Sequence, residues 1–270
     1  MHWKRWITAL IIIPPLVWLI LKADSVIFAM IIGLAGTLCL WEYYRIAFHG
    51  HAPPVPAGFQ VLGYCSGVLV IAAAHSGNAM ALMFALAVNL TGAAVMSIFR
   101  FRNSSDAPLV AVKQVFGVLY IPFFISFLVL LRKTTDGPLW VLFSFWVIAW
   151  GDTGALYTGT LWGRHKLCPS VSPKKTVEGA AGGLAANLVF AWLFKILFFH
   201  SMAGVTCTVF ALLIGVLGQM GDLFESEFKR AAGVKDSSNL LPGHGGFLDR
   251  LDALLLAAPA AFFLKEFVLP

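Results

Sequence analysis

The residues able to do chemistry crowd into one stretch, Ser226 to Asp252, which reads SEFKRAAGVKDSSNLLPGHGGFLDRLD. Together with the residues just before it, the stretch gathers the acids Asp222, Glu225, Glu227, Asp236, Asp249 and Asp252. Interleaved are the bases Lys229, Arg230, Lys235 and Arg250, and one histidine, His244. Apolar runs flank it on both sides, and ionisable groups at a membrane edge mark the handling of ions or charged substrates. Asp222, Glu225 and Lys229 are three and four apart, so they share one helix face. Pro242-Gly243-His244-Gly245-Gly246 predicts a tight turn whose glycines permit left-handed backbone and close approach to a ligand. Asp249 and Asp252 open the next helix on one face. If the turn folds the two helices side by side, Asp222 and Asp249 converge. Two such carboxylates suit Mg²⁺, which takes few carboxylates plus substrate phosphates. Mutual salt bridges, such as Asp249 with Arg230, are the plainer alternative.

Two further constellations lie upstream. Asp152-Thr153-Gly154-Ala155 puts an acid deep in an apolar run, where an ionised carboxylate is costly without a partner. A helix-terminal acid reaching interfacial water would look the same. Gly163-Arg164-His165-Lys166 is followed by Ser172-Pro173-Lys174-Lys175-Thr176 and Glu178. A helix N-terminus with lysines beside it makes a phosphate site, although a basic loop is also what membrane topology alone would place there. The inventory is acids for a divalent metal and cations for phosphates. It contains no G-x-S-x-G elbow, no thiol beside a histidine and no cysteine–histidine zinc cluster. That excludes the common hydrolytic chemistries and favours phosphoryl or nucleotidyl transfer, which needs positioning, metal ions and positive charge.

These residues must be positioned by membrane helices. The 270 residues are 59% hydrophobic and only 12% charged, against about 25% charged in soluble domains. The net charge of +6 does not indicate nucleic acid, because the basic residues fall in loops between apolar runs; an anionic membrane surface or substrate fits better. Cys39, Cys65, Cys168 and Cys207 lack metal-ligand spacing and are expected as buried apolar fillers. A span needs about 20 apolar residues, and nine runs qualify: 6–22, 25–47, 59–74, 78–98, 109–131, 138–160, 177–199, 203–225 and 251–269. The first shows no small-residue cleavage site and is expected as a helix rather than a signal peptide. Pro14, Pro15 and Pro122 are expected to kink the helices that hold them.

With the N-terminus inside, Lys4, Arg5, Arg45, Arg100, Arg102, Arg164, Lys166, Lys174, Lys175, Lys229, Arg230, Lys235 and Arg250 fall in inner loops. Only Lys22, Arg132 and Lys133 fall outside, with Lys113, Lys195 and Lys265 inside helices. The N-terminus is therefore predicted cytoplasmic, and nine spans put the C-terminus on the far side. The fold class is an all-α polytopic integral membrane protein. Residues 1–135 are expected as scaffold helices and 136–270 as the catalytic region. Gly215, Gly218 and Gly221 make a smooth face for close helix packing.

The run Ser226-x-Phe228-Lys229-Arg230, then Lys235-Asp236, then Leu241-Pro242-x-His244-Gly245-Gly246-Phe247-x-Asp249-Arg250-x-Asp252 resembles the signature of the phosphatidate cytidylyltransferases, the CDP-diacylglycerol synthases. The resemblance extends to the Asp152 and Ser172 segments, so it covers about 150 to 252. Leu156 intervenes before Tyr157 where the family has an aromatic residue, and Trp162-Gly163-Arg164-His165-Lys166 stands where it has Phe-Gly-Lys-His-Lys. The resemblance implies a membrane-embedded, Mg²⁺-dependent homodimer, with K⁺ beside the Mg²⁺ and a polar cavity open to the cytoplasm. The reaction implied is CTP plus phosphatidic acid giving CDP-diacylglycerol and pyrophosphate. On that reading Asp222 and Asp249 hold the metal, while Lys229, Arg230, Lys235 and Arg250 neutralise phosphates. Asp152, Asp236 and Asp252 assist the metal or hold the cations in place. Ser172, Lys174, Lys175, Thr176, Ser226, Gly245 and Gly246 contact substrate, with Lys174 and Lys175 gripping the triphosphate or anchoring to anionic lipid. His244 either binds a phosphate or orders the glycine turn.

Rival classes are weaker. An ion-coupled transporter predicts inverted repeats, and the halves show no self-similarity. A CDP-alcohol phosphotransferase needs an Asp-x-x-Asp-Gly-x-x-Ala-Arg run that is absent. A catalytically silent relative would not be expected to keep the signature filled.

Overall fold

A computed structural model describes residues 14–51, 53–240 and 245–268. Backbone groups in lipid must be satisfied within the segment, which leaves helices as the solution for these apolar runs. After α1 (14–21) come α2 (Ser25–Ala47), α3 (Ala57–Ser76), α4 (Ala79–Phe101), α5 (Ala107–Val118), α6 (Phe124–Lys133) and α7 (Gly137–Trp162). A two-stranded antiparallel hairpin, β1 (Lys166–Cys168) and β2 (Ser172–Thr176), leads into α8 (Val177–Phe198), α9 (Gly204–Ala231) and α10 (Leu248–Phe263). Helices α5 and α6 form one span, Ala107–Lys133, joined by a π-helical turn, Leu119–Phe123. Pro122 lies in that turn: proline supplies no N–H, and the wider turn absorbs the loss.

Among the described residues seven helices are long and apolar enough to cross a membrane. They match seven of the nine expected runs. The first run, 6–22, lies largely outside the described residues. The ninth is α10, whose 16 helical residues continue through a second π-helical turn, Leu264–Val268. Among the described residues the hairpin is the one departure from an all-helical reading. Its short strands carry the polar residues between α7 and α8. Cys39 and Cys207 are buried as expected, but Cys65 faces outward on α3 and Cys168 is half-exposed on β1.

The loops sort into two ends. At one end, Arg132 Nη2 donates to the Ala23 carbonyl at 2.6 Å, and Lys133 Nζ donates to the His75 carbonyl. The other end holds the signature. There Lys113 Nζ donates to Ala47 O at 2.7 Å, and His51 Nδ1 lies 2.7 Å from Asp106 Oδ2. The Asp106 carboxyl is held down at about 2, chiefly by the Ser104 hydroxyl and then by His51. Lys113, ambiguous in sequence, thus belongs to the signature end. Lys265, over the Trp140 ring, belongs to the other.

Aromatic rings knit the N-terminal helices to α9. Phe228 meets Tyr43 of α2 edge-on at 5.8 Å, and Phe224 meets Tyr120 at 5.3 Å. The glycine face of α9 is buried, and α10 crosses it closely. A Cβ on Gly221 would come within 2.4 Å of the Asp252 carbonyl oxygen, a backbone atom that cannot step aside. Gly221→Ala is therefore expected to cost about 1–3 kcal/mol, the range for overpacking. Thermal unfolding of the detergent-solubilised protein reads this, and an unchanged melting temperature would contradict the packing.

Candidate functional site

The site forms where α7, the hairpin, α9 and α10 meet at the signature end. Lys175, half-buried on β2, reaches Asp222 of α9 at 2.6 Å. One turn on, the buried Glu225 pairs with Lys229 at 2.5 Å across an i,i+4 step. The same ammonium reaches Asp249 Oδ1 of α10 at 2.6 Å. Asp222 and Asp249 are thus each held by a lysine of their own, Lys175 and Lys229. Asp249 pairs with Lys229, not with Arg230. Asp152 on α7 lies within electrostatic reach of Asp222, Lys175 and Arg250, and the buried Asp252 within reach of Asp222, Glu225 and Asp152.

Other expected residues take varied places. Ser226 is buried, its hydroxyl 3.5 Å from Asp222 Oδ1. Thr176 is buried as the N-cap of α8, accepting the Gly179 N–H at 3.1 Å, a standard way to satisfy an orphan helix donor. Ser172 opens β2 half-buried, and Lys174 beside it is exposed. The Arg230 guanidinium donates to the carbonyls of Val171 and Val234, so it ties the hairpin turn to the end of α9. Lys235 and Asp236 are exposed on the segment after α9, and Arg250 is exposed on α10. His244 lies outside the described residues.

Gly245, Gly246 and Ser237 gather around carboxylates. Gly245 is left-handed, φ 79°. The Gly246 N–H donates to Asp249 Oδ2 at 2.8 Å, and Ser237 adds its N–H at 3.1 Å and its hydroxyl at 2.9 Å. A Cβ on Gly246 would fall 2.0 Å from Ser237 Oγ and 2.4 Å from Glu42 Oε1, so any larger residue would displace those two side chains. Glu42 is a functional candidate that the sequence did not disclose. It sits on α2, far along the chain, inside a run that reads as an apolar span. A lone acid in such a run was the available signal.

Among the described residues no group of three or more His, Cys, Asp or Glu side chains is assembled as a metal-ligand set. Mg²⁺ does not require one, since it is held by one or two carboxylates together with substrate phosphates and water. Glu225 is buried with the Lys229 ammonium 2.5 Å from Oε2, and its Oε1 has no hydrogen-bond partner. Ammonium groups lie against Asp222 and Asp249, where a cation would be stabilised. The donor set is hard oxygen throughout and fits a hard divalent ion.

The model of the Cytidylyltransferase family matches residues 3–268. The chain belongs to that family. Among similar proteins, the phosphatidate cytidylyltransferase of Haemophilus influenzae is 33% identical over 291 aligned positions, covering 98% of this chain and 99% of that protein. The phosphatidate cytidylyltransferases of Staphylococcus saprophyticus and Bacillus subtilis are 43% and 40% identical over 135 and 149 residues. In those two matches the aligned part spans about half of the relative's length, 52% and 55%. Within the cytidylyltransferase family, then, this chain presents its acids and lysines at one end of a membrane-type helical bundle.

Proposed function

We propose that the protein is a phosphatidate cytidylyltransferase, converting CTP and phosphatidic acid to CDP-diacylglycerol and pyrophosphate. The observation that carries this reading is the alternation of acids and lysines, Asp222–Lys175 and Glu225–Lys229–Asp249, at the membrane-edge end of α9 and α10. A lipid phosphate and a water-soluble nucleotide can meet only at such an edge. In the reaction a phosphatidate oxygen forms a bond to the α-phosphorus of CTP. The bond from that phosphorus to the β-phosphate bridging oxygen breaks, and pyrophosphate leaves with its electron pair. The attacking phosphate is already anionic near pH 7, so no strong base is needed.

In this reading Lys175 and Lys229 exchange their carboxylate partners for phosphate oxygens, and Asp222 and Asp249 are freed towards a cation. Bound Mg²⁺ would neutralise charge on the phosphates and steady the leaving group; K⁺ beside it is part of the same reading. Asp152, Asp236 and Asp252 keep the cations in place, and Lys174, Lys235 and Arg250, exposed at the rim, draw in anionic substrate. The signature end faces the cytoplasm, which supplies CTP, and two copies of the chain form a homodimer.

The test is turnover by the purified protein with phosphatidic acid, labelled CTP and Mg²⁺. CDP-diacylglycerol and pyrophosphate are expected in equal amounts, lost with EDTA and restored by added Mg²⁺. Binding of lipid and nucleotide without product would mark a silent relative.

A further inference from the structure

Glu42 has an environment that helix packing alone does not require. It is fully buried on α2, and no cation pairs with it among the described residues. Instead four donors from the signature region converge on its two oxygens. Oε1 accepts the Ser238 hydroxyl at 2.5 Å and the Phe247 N–H at 3.0 Å. Oε2 accepts the Ser237 hydroxyl at 3.0 Å and the Leu248 N–H at 2.6 Å. Phe247 and Leu248 are the N-cap and first residue of α10, so a carboxylate from another helix occupies the place of an N-capping anion. The positive end of the helix dipole and the orphan N–H groups stabilise it there.

The contact continues into the site. The Ser237 hydroxyl that touches Glu42 Oε2 also lies 2.9 Å from Asp249 Oδ2. The same Asp249 oxygen is held by the N–H groups of Ser237 and Gly246. Glu42 thereby ties Ser237–Ser238 to Phe247–Leu248. Asp249 is left with one oxygen fixed inward and the other, Oδ1, facing Lys229. From this geometry we infer that Glu42 is a positioning residue of the reaction centre. It holds Ser237–Ser238 and Gly246–Leu248 against each other so that Asp249 presents Oδ1 towards the Lys229 side of the site. The inference rests on the proposed function for its chemistry, but on the hydrogen bonds alone for its direction.

The test uses the full chain in detergent, as wild type, Glu42→Gln and Ser237→Ala. The Glu42→Gln change keeps the shape of the side chain but turns an NH₂ group towards N–H and O–H donors. Ser237→Ala leaves Glu42 its three other donors and removes only the hydroxyl link to Asp249. Mn²⁺ binding, followed by electron paramagnetic resonance with CTP present and no lipid, needs no turnover. Residues that orient metal-holding side chains typically tune metal affinity by 10–100-fold, so half-saturating Mn²⁺ is expected to rise about 10-fold or more in both variants. Turnover should show the same rise in Mg²⁺ requirement, with the KM for phosphatidic acid unmoved. A merely structural Glu42 would lower the melting temperature and leave half-saturation unchanged in the folded fraction, and that result overturns the inference. If Glu42→Gln does not fold, Ser237→Ala decides by the same reading. Wild type that binds Mn²⁺ but makes no CDP-diacylglycerol defeats the reaction assignment, and the metal titration still judges Glu42. Wild type that binds no Mn²⁺ defeats the inference itself.

Discussion

Asp249→Asn is expected to lower CDP-diacylglycerol formation by at least about 100-fold while the protein stays folded, the upper range for loss of metal-directed groups. The reason lies in how the two carboxylate oxygens are used. Oδ2 accepts from the Gly246 and Ser237 N–H groups, and the Ser237 hydroxyl, 2.9 Å away, is shared between it and Glu42. An Asn can place its amide oxygen there and preserve the turn. Its NH₂ then faces the Lys229 ammonium, where Oδ1 now accepts at 2.6 Å. Two donors oppose each other, and the negative charge that a cation would share is gone. Turnover and melting temperature measured on one preparation separate the effects. Full activity with an unchanged Mg²⁺ requirement would remove Asp249 from the metal's neighbourhood.

Lys229→Met should act on stability as well as activity. Lys229 is buried and lies between Glu225 and Asp249, at 2.5 and 2.6 Å. Methionine keeps much of the stem and deletes the ammonium, which leaves two acids facing one another away from water. Breaking a buried pair by removing one partner costs about 3–5 kcal/mol, because the uncompensated charge stays buried. A lower melting temperature and less folded protein are expected, with turnover lost. Glu225→Gln placed in the Lys229→Met background removes one of the stranded charges. It should recover folding and leave activity absent, a coupling expected of residues in one network. Wild-type stability and turnover in Lys229→Met would dismiss the pairing as incidental.

Much of this was legible without coordinates. The apolar runs specify helices because lipid leaves the backbone no other way to satisfy its hydrogen bonds, and seven appear where the pattern placed them. Spacing put Glu225 and Lys229 on one helix face, and they pair there. Gly245, one of the glycines expected to permit left-handed backbone, adopts it. Thr176 before the α8 run read as the edge of a helix start and is its N-cap. Local rules reach this far because they act within a few residues.

The tertiary structure decided which charge meets which. Spacing favours no particular partner for Asp249, and Lys229 prevails over Arg230 because α9 turns Lys229 towards α10 while Arg230 faces the hairpin. Lys175 finds Asp222 only because β2 folds back beside α9. Glu42 lies 195 residues from Ser237, in an otherwise largely apolar helix, and no periodicity links them. The sequence by itself determined the helices, the membrane class and the chemical inventory, since each follows from local composition. The pairing of that inventory, and the part played by α2 in holding it, follows from long-range packing that no local pattern encodes.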